Sequence, residues 1–387
     1  MKHNWSLLVR ISMSGLLVLV LVSLLSIFFV QSLRYTEAGK VPPKTAVMLH
    51  AVNKQLLPEG LKTPSFLASK APPTIQQLEM IMDTKDGDTI PIRVYKPVAD
   101  GPHPVIVYFH GGAFMEGFGN IETHDNIIRS LAARTKAIVV APGYRLAPEH
   151  VFPTAVNDNY ETLEWVVESS EQLDADVERI AVAGDSAGGN LAAAVALKTK
   201  QLDGPKIESM ALLYPLTTFE DIELNSRDRY SSGYYFLSRS VMERAREVYT
   251  PNKMDWHSPY SSPLLAEDLS DLPDTLVITG EFDPLRDEGE AFAHRLHEAG
   301  VYTEAVRFNG VMHGFISFYE VMGRGEEGMQ LVSDFMRRAS SDNALTTDEA
   351  QMFKVNIRQE QDTWRDEVEA YIMGVYLISR HIQSWFS

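Results

Sequence analysis

The chain contains no cysteine in its 387 residues. That excludes disulfide bridges, thiolate metal sites and a cysteine nucleophile together, while leaving the redox compartment open. Positive charge is scarce as well: 35 Lys and Arg face 52 Asp and Glu, for a formal net charge of −17. Nucleic acid, whose phosphates demand a basic face, is therefore not an expected partner. Neither is an anionic lipid surface bound through a broad basic patch. No repeat of 20–50 residues is visible, which argues against a solenoid or propeller. The remaining composition, 45% hydrophobic and 22% charged, is that of an ordinary globular protein. Its length suits one large domain with insertions, or two smaller ones.

Charge is absent from Ile11 to Val30, a run of twenty residues bounded by Arg10 and Arg34. Such a run spans a bilayer core of roughly 30 Å as a helix, so residues 1–34 read as a membrane anchor. A cleaved signal peptide is the rival reading. Its apolar region is usually about 7–15 residues, and the cleavage position here, with Val30 and Ser32 at −3 and −1, is weak. Lys2 and Arg10 precede the run while Arg34, Lys40 and Lys44 follow it, so loop charge hardly decides orientation. The expectation is a single-pass protein with a short cytoplasmic N-terminus and its main domain outside the cytoplasm.

Residues 35–76 mix prolines with short helical pieces. Beyond them, seven β-rich runs alternate with helical stretches: TIPIRVYKP, HPVIVYFHGG, KAIVVAPGY, RIAVAGDS, MALLYPL, DTLVITGEFD and TEAVRFNG. Helices are expected at Asn126 to Ala133, Tyr160 to Ser169 and Leu191 to Lys200. Near-continuous Val, Ile and Leu mark strands buried on both faces, as in a mostly parallel sheet covered by helices. The α/β domain is placed at 77–340. Residues 217–273 hold no strand and read as an insertion above the carboxyl ends of the sheet, where a cap or lid is expected. In 341–387, Thr346 and Glu349 form a capping box. An apolar stripe follows at Trp364, Val368, Tyr371, Ile372, Val375, Ile378, Ile382 and Phe386. This helical extension is too short in apolar run to span a membrane. Either it packs on the domain, or it lies on a membrane or mediates homo-oligomer formation.

The chemistry centres on VAGDSAGGN, where Gly184, Ser186 and Gly188 form G-x-S-x-G between a strand and a helix. That spacing describes a sharp elbow that presents a serine hydroxyl. A serine becomes a nucleophile when an imidazole takes its proton and a carboxylate orients the imidazole. On this architecture the chain order is Ser, Asp or Glu, His. Asp283, beyond the strand Thr275 to Thr279, and His313, beyond the strand Thr303 to Phe308, occur in that order, with Asp287 as a substitute partner. The turn HGGAF, residues 110–114, follows the strand VIVYF. Backbone N–H groups of Gly111, Gly112 or Ala113, with that of Ala187, are the candidate oxyanion donors.

The set HGGAF, YRLAPEH, GDSAGGN, EFDPLRDEG and HGF resembles the hormone-sensitive-lipase-like family of α/β-hydrolases, over roughly residues 75–340. The resemblance implies an ester hydrolase whose helical cap comes from the N-terminal segment 35–76 and the insertion. It implies nucleophile Ser186, acid Asp283, base His313 and oxyanion donors Gly112, Ala113 and Ala187. The family usually writes H-G-G-G, and this chain has Ala113 at the third glycine, where a methyl narrows the acyl pocket or disfavours tertiary alcohols. YRLAPEH, Tyr144 to His150, reads as structural, with Glu149 outside the chemistry.

The expected function is a serine carboxylesterase or lipase acting on small hydrophobic esters of short to medium acyl chain through an acyl-enzyme, with no metal or cofactor. Phe114, Tyr214, Phe236 and the segment YSSGYYFL are candidate pocket walls or simply cap core. An amidase or deacetylase would use the same residues. A non-catalytic small-molecule receptor and a membrane scaffold are the rivals from other classes.

Overall fold

The computed structural model describes residues 2–54, 56, 75–340, 352–359 and 363–384. It divides into two units: Met1–Lys62 with Gln359–Ser387, and Thr63–Arg358. The first begins with α1 (Lys2–Leu33). A two-strand hairpin, β1 (Tyr35–Thr36) with β2 (Gly39–Lys40), follows. Then comes α2 (Pro43–Asn53), entered by a proline whose missing N–H costs nothing at a helix start.

The second unit opens with an antiparallel hairpin of β3 (Ile75–Asp83) and β4 (Thr89–Pro97). Strands and helices then alternate through β5 (His103–Phe109), α3 (Asp125–Thr135), β6 (Ile138–Pro142), α4 (Thr154–Glu168), the short α5 (Ser170–Leu173), β7 (Ala175–Asp185), α6 (Ala187–Gln201) and β8 (Ser209–Leu213). The alternation stops there. The insertion holds α7 (Asn225–Tyr230), α8 (Arg239–Tyr249) and 3₁₀ turns at Lys253–His257 and Pro263–Leu265. It contains no strand, only an isolated bridge between Ser232 and Ser238. The pattern resumes with β9 (Asp274–Phe282), α9 (Arg286–Glu298), β10 (Thr303–Met312), α10 (Gly323–Ala339) and β11 (Asn356–Arg358).

These nine strands form one sheet in the order β11-β10-β9-β8-β7-β5-β6-β4-β3. Every pair from β11 to β6 is parallel, and β4 runs antiparallel to both of its neighbours. All residues of β6 and β8 are buried, as their unbroken apolar sequence requires for strands covered on both faces. Helix α6 is buried along almost its whole length and is rich in alanine, which lets it lie close to β5, β7 and β8. The seven expected strands are present as β4 to β10. Two others were not anticipated. Strand β3 buries only Met82 and leaves Ile81 exposed, so it lacks a continuous apolar run. Strand β11 is three exposed residues paired in parallel with Val306 to Phe308. The stretch 341–387 is thus not helical throughout. The capping box at Thr346 and Glu349 lies outside the described residues, as do residues 57–74 between α2 and β3.

The first unit is completed by α11 (Trp364–Ser384). Val30, Val47, Ala51, Ala370 and Leu377 form its core. Helix α2, from the 35–76 segment, packs with α1 and α11. Of the two readings open for the apolar stripe of α11, packing or an exposed face, most of its described residues take the second. Trp364, Val368, Ile372 and Val375 are exposed, while Ala370, Gly374 and Leu377 are buried. A Cβ on Gly374 would come within 2.7 Å of Ser26 Oγ and Val30 Cγ2. Small residues permit that close approach of two helices, so size rather than hydrophobicity selects the contact face. The Ser26 hydroxyl donates to the Tyr371 carbonyl at 2.5 Å, and Gln31 Nε2 to Tyr371 Oη at 3.0 Å. The side chain of Ile382, and Phe386, lie outside the described residues.

Candidate active site

Ser186 stands between the last residue of β7 and the first of α6, with φ 54° and ψ −115°. A non-glycine residue held there stores about 1–3 kcal/mol of strain and persists only if its surroundings impose it. They do so by close packing. A Cβ on Gly184 would lie 2.2 Å from the Gly188 carbonyl oxygen, and one on Gly188 would lie 1.9 Å from that of Phe109. The two glycines are what allow the elbow to form against the end of β5.

Asp283 and His313 follow the C-terminal ends of β9 and β10 directly, at the same sheet edge as the elbow after β7. The three side chains meet. His313 Nδ1 lies 2.8 Å from Asp283 Oδ2, and His313 Nε2 lies 3.0 Å from Ser186 Oγ. The carboxylate can only accept, so Nδ1 carries the hydrogen and Nε2 offers its lone pair to the serine hydroxyl. Asp283 is fully buried, and its other oxygen accepts the Leu285 N–H at 2.8 Å. Burial alone disfavours an imidazolium, but the facing Asp283 carboxylate outweighs it, and the His313 pKa lies above the usual histidine value. Asp287 is not part of this chain of bonds. It accepts the Ser226 N–H at 2.8 Å and pairs with Arg286.

The turn after β5 is held from two sides. Gly111, expected among the oxyanion donors, gives its N–H to Asp185 Oδ1 at 2.9 Å. That corrects its assignment, because an engaged N–H is not available to a substrate. Among the described residues no hydrogen bond runs from the N–H of Gly112, Ala113 or Ala187. Gly112 has φ +129°, and a Cβ there would meet the Gly119 backbone at 2.7 Å. Ala113 and Phe114 follow at φ 54° and 61°, so the alanine that replaces the family's glycine occupies the left-handed region.

Sequence reasoning did not reach the buried network beneath this turn. Asp185 also accepts the Tyr108 hydroxyl at 2.7 Å, and His124 Nε2 lies 3.2 Å from its second oxygen. Burial raises the cost of charge on Asp185, but His124 and its donors hold its pKa below the usual value; reciprocally, Asp185 holds His124 above its own. Position 185 stands inside the elbow motif and was legible as a candidate. Its partner 61 residues earlier carried no local signal. On the other side, His110 is buried, which pushes its pKa down to about 4. It stacks on Tyr144 at 4.2 Å, whose hydroxyl donates to the His110 carbonyl at 2.6 Å.

YRLAPEH is structural, as expected. Arg145 pairs with the buried Asp158 at 2.6 Å and with Asp86 and Asp88 at 2.9 and 3.2 Å. The Ala147 N–H donates to the Phe114 carbonyl at 2.9 Å, and Glu149 is exposed. Of the candidate pocket aromatics, Phe114 is buried and stacks on Tyr249 at 4.2 Å, within the insertion's core. Tyr214 is buried edge-on against His313 at 5.1 Å. Phe236 is half-buried and stacks on Phe318.

Residues 106–317, which include Ser186, Asp283, His313 and the turn after β5, match the model of a family described as having the alpha/beta hydrolase fold. The chain belongs to the α/β-hydrolase family. Its place in the hormone-sensitive-lipase-like branch of that family accords with its relatives. It is 38% identical over 257 residues to an arylesterase of Saccharolobus solfataricus, covering 66% of this chain and 82% of that one. It is 33% identical over 308 residues to an ethyl acetate hydrolase of Pseudomonas putida, covering 78% and 94%. Among solved structures, a hyperthermophilic esterase from Pyrobaculum calidifontis is similar with a TM-score of 0.66 and 42% identity, over 69% of this chain and 86% of that chain. This α/β-hydrolase is an ester-hydrolysing enzyme.

Proposed function

We propose that this carboxylesterase cleaves small hydrophobic esters of short to medium acyl chain by two-step acyl transfer at Ser186. His313 Nε2 takes the hydroxyl proton as Ser186 Oγ bonds to the ester carbonyl carbon, and the carbonyl π electrons move to oxygen. The N–H groups of Gly112, Ala113 and Ala187 stabilise that oxyanion. Collapse of the tetrahedral species expels the alcohol, which receives the proton from His313. Water then repeats the sequence on the acyl-serine and releases the acid. Asp283 keeps the imidazole in its reactive tautomer and stabilises the imidazolium. One observation carries this reading: the continuous path from Asp283 through His313 to Ser186, at 2.8 and 3.0 Å, beside three N–H groups without acceptors among the described residues.

The test is hydrolysis of p-nitrophenyl esters from acetate to laurate by the full chain in detergent, with Ser186→Ala beside it. The shorter esters are expected to react fastest, and the variant to lose at least about 10³-fold in kcat. A variant with the parent rate would remove Ser186 from the chemistry.

We also infer that α1 is a retained membrane span. Met13–Leu33 is a 21-residue stretch containing a window of mean hydropathy 2.7, little of which is buried, a length that suits a bilayer core. Val30 and Ser26, fully buried against α2 and α11, favour retention over cleavage, since removing α1 would open that core. The hydrolase domain is read as extracytoplasmic.

A further inference from the structure

Helix α11 leaves an apolar face uncovered. Val368, Ile372, Val375 and Tyr376 are exposed, Ile372 by 64%, and their spacing places them on one side of the helix. Ala370 to Ser379 carries no charge. Water is a poor partner for such a surface.

Two observations indicate its cover. The opposite face of α11 is seated on α1 at Ser26 and Val30, inside the apolar stretch Met13–Leu33. At 1.5 Å per residue those positions lie about 10 and 5 Å from the Leu33 end. That matches the roughly 5–10 Å to which interfacial helices bury their apolar face. The second observation is where the charge stops. Arg365, Asp366, Glu367 and Glu369 occupy the first turns of α11, where Lys44 binds both Asp366 and Glu369. The uncharged part begins where the helix meets α1. Trp364, also exposed, stands at that charged end, as aromatic residues do at membrane–water boundaries.

We propose that α11 is an interfacial helix whose Val368, Ile372, Val375 and Tyr376 lie among the headgroups and upper acyl chains of the bilayer that α1 spans. The proposal rests on the reading of α1 as a span. The partner is lipid, engaged through apolar insertion rather than charge. The chain is then fixed to the membrane by a transmembrane helix and a surface helix clamped to it.

The absence of native cysteine permits clean single-site labelling. Ile372→Cys, Leu21→Cys and Glu367→Cys, each in the full chain and carrying an environment-sensitive fluorophore, are reconstituted in phosphatidylcholine vesicles. Retained esterase activity certifies folding. The probe at 372 is expected to shift to the blue and lose most of its emission to lipids bearing a quencher high on the acyl chain. The probe at 21 should respond to a deep quencher, and that at 367 to neither. A water-exposed probe at 372 with a deep-quenched probe at 21 overturns the proposal and leaves the anchor standing. Silence at both positions overturns the anchor as well. A blue-shifted probe at 372 that lipid quenchers do not reach, and that reverts when protein is diluted in lipid, identifies a second copy as the occupant and also overturns it.

Discussion

The Asp185 carboxylate accepts the Gly111 N–H at 2.9 Å, joining the residue before the serine elbow to the turn after β5. One buried side chain therefore sets the distance between Ser186 and the N–H groups of Gly112 and Ala113. His124 supports it from the other side.

Replacing that charge is the first prediction. Asp185→Asn is expected to lower kcat about 10- to 100-fold by displacing the oxyanion turn, and to cost about 3 kcal/mol of stability by unpairing His124. The sign with pH follows from the shifts. His124 is raised, so its contribution is complete below its unfolded pKa and is lost as pH rises through the folded value; Asp185 is lowered, so its contribution is lost as pH falls through its own. Urea unfolding at pH 5.5 should therefore separate parent and variant more than at pH 9. Equal separation would rule out the charge pair as the cause.

The choice of acid is separable from its neighbour. Asp283→Asn should lower kcat about 10⁴-fold through the wrong imidazole tautomer. Asp287→Asn, four residues on and bound to Ser226 and Arg286, should leave kcat near the parent value. Steady-state rates on p-nitrophenyl acetate decide it.

Base catalysis requires neutral His313, whose pKa Asp283 raises. The kcat/KM profile is expected to fall on the acid side with a midpoint above about 6.5, the unperturbed histidine value. A midpoint below that value would contradict the pairing with Asp283.

Ala113 has φ 54°. Ala113→Gly relieves about 1–2 kcal/mol of left-handed strain against about 0.5–1 kcal/mol of lost backbone rigidity, so stability should change little. The N–H remains, and turnover of ethyl acetate should survive. Removing the methyl should raise the rate for tert-butyl acetate relative to ethyl acetate. An unchanged ratio would place the methyl away from the alcohol.

In the helical unit, Gly374→Val drives a side chain into Ser26 and Val30. Overpacking of this kind costs about 1–3 kcal/mol. Hydrogen exchange should quicken in α11 and the last turns of α1. Unchanged protection would mean the helices do not meet there.

Much of the site was legible because its parts are contiguous. The elbow around Ser186 is written in five adjacent residues, and the apolar runs of β5 to β10 announce strands buried on both faces, which places Asp283 and His313 at strand ends. The sequence by itself thus determined the architecture, the elbow that carries Ser186 and the chain order in which Asp283 and His313 follow it. Only the tertiary structure decided that His313 pairs with Asp283 rather than Asp287, that Gly111 is engaged by Asp185, and that His124 stands behind it. Those are contacts between residues distant in sequence, and no local pattern encodes which of two nearby carboxylates a histidine will face. The same holds for β3 and β11, edge strands without a continuous apolar run, and for α11. Its periodicity marked an apolar stripe, but close packing on α1 selected Ala370 and Gly374 instead, because small side chains let two backbones approach and large ones do not.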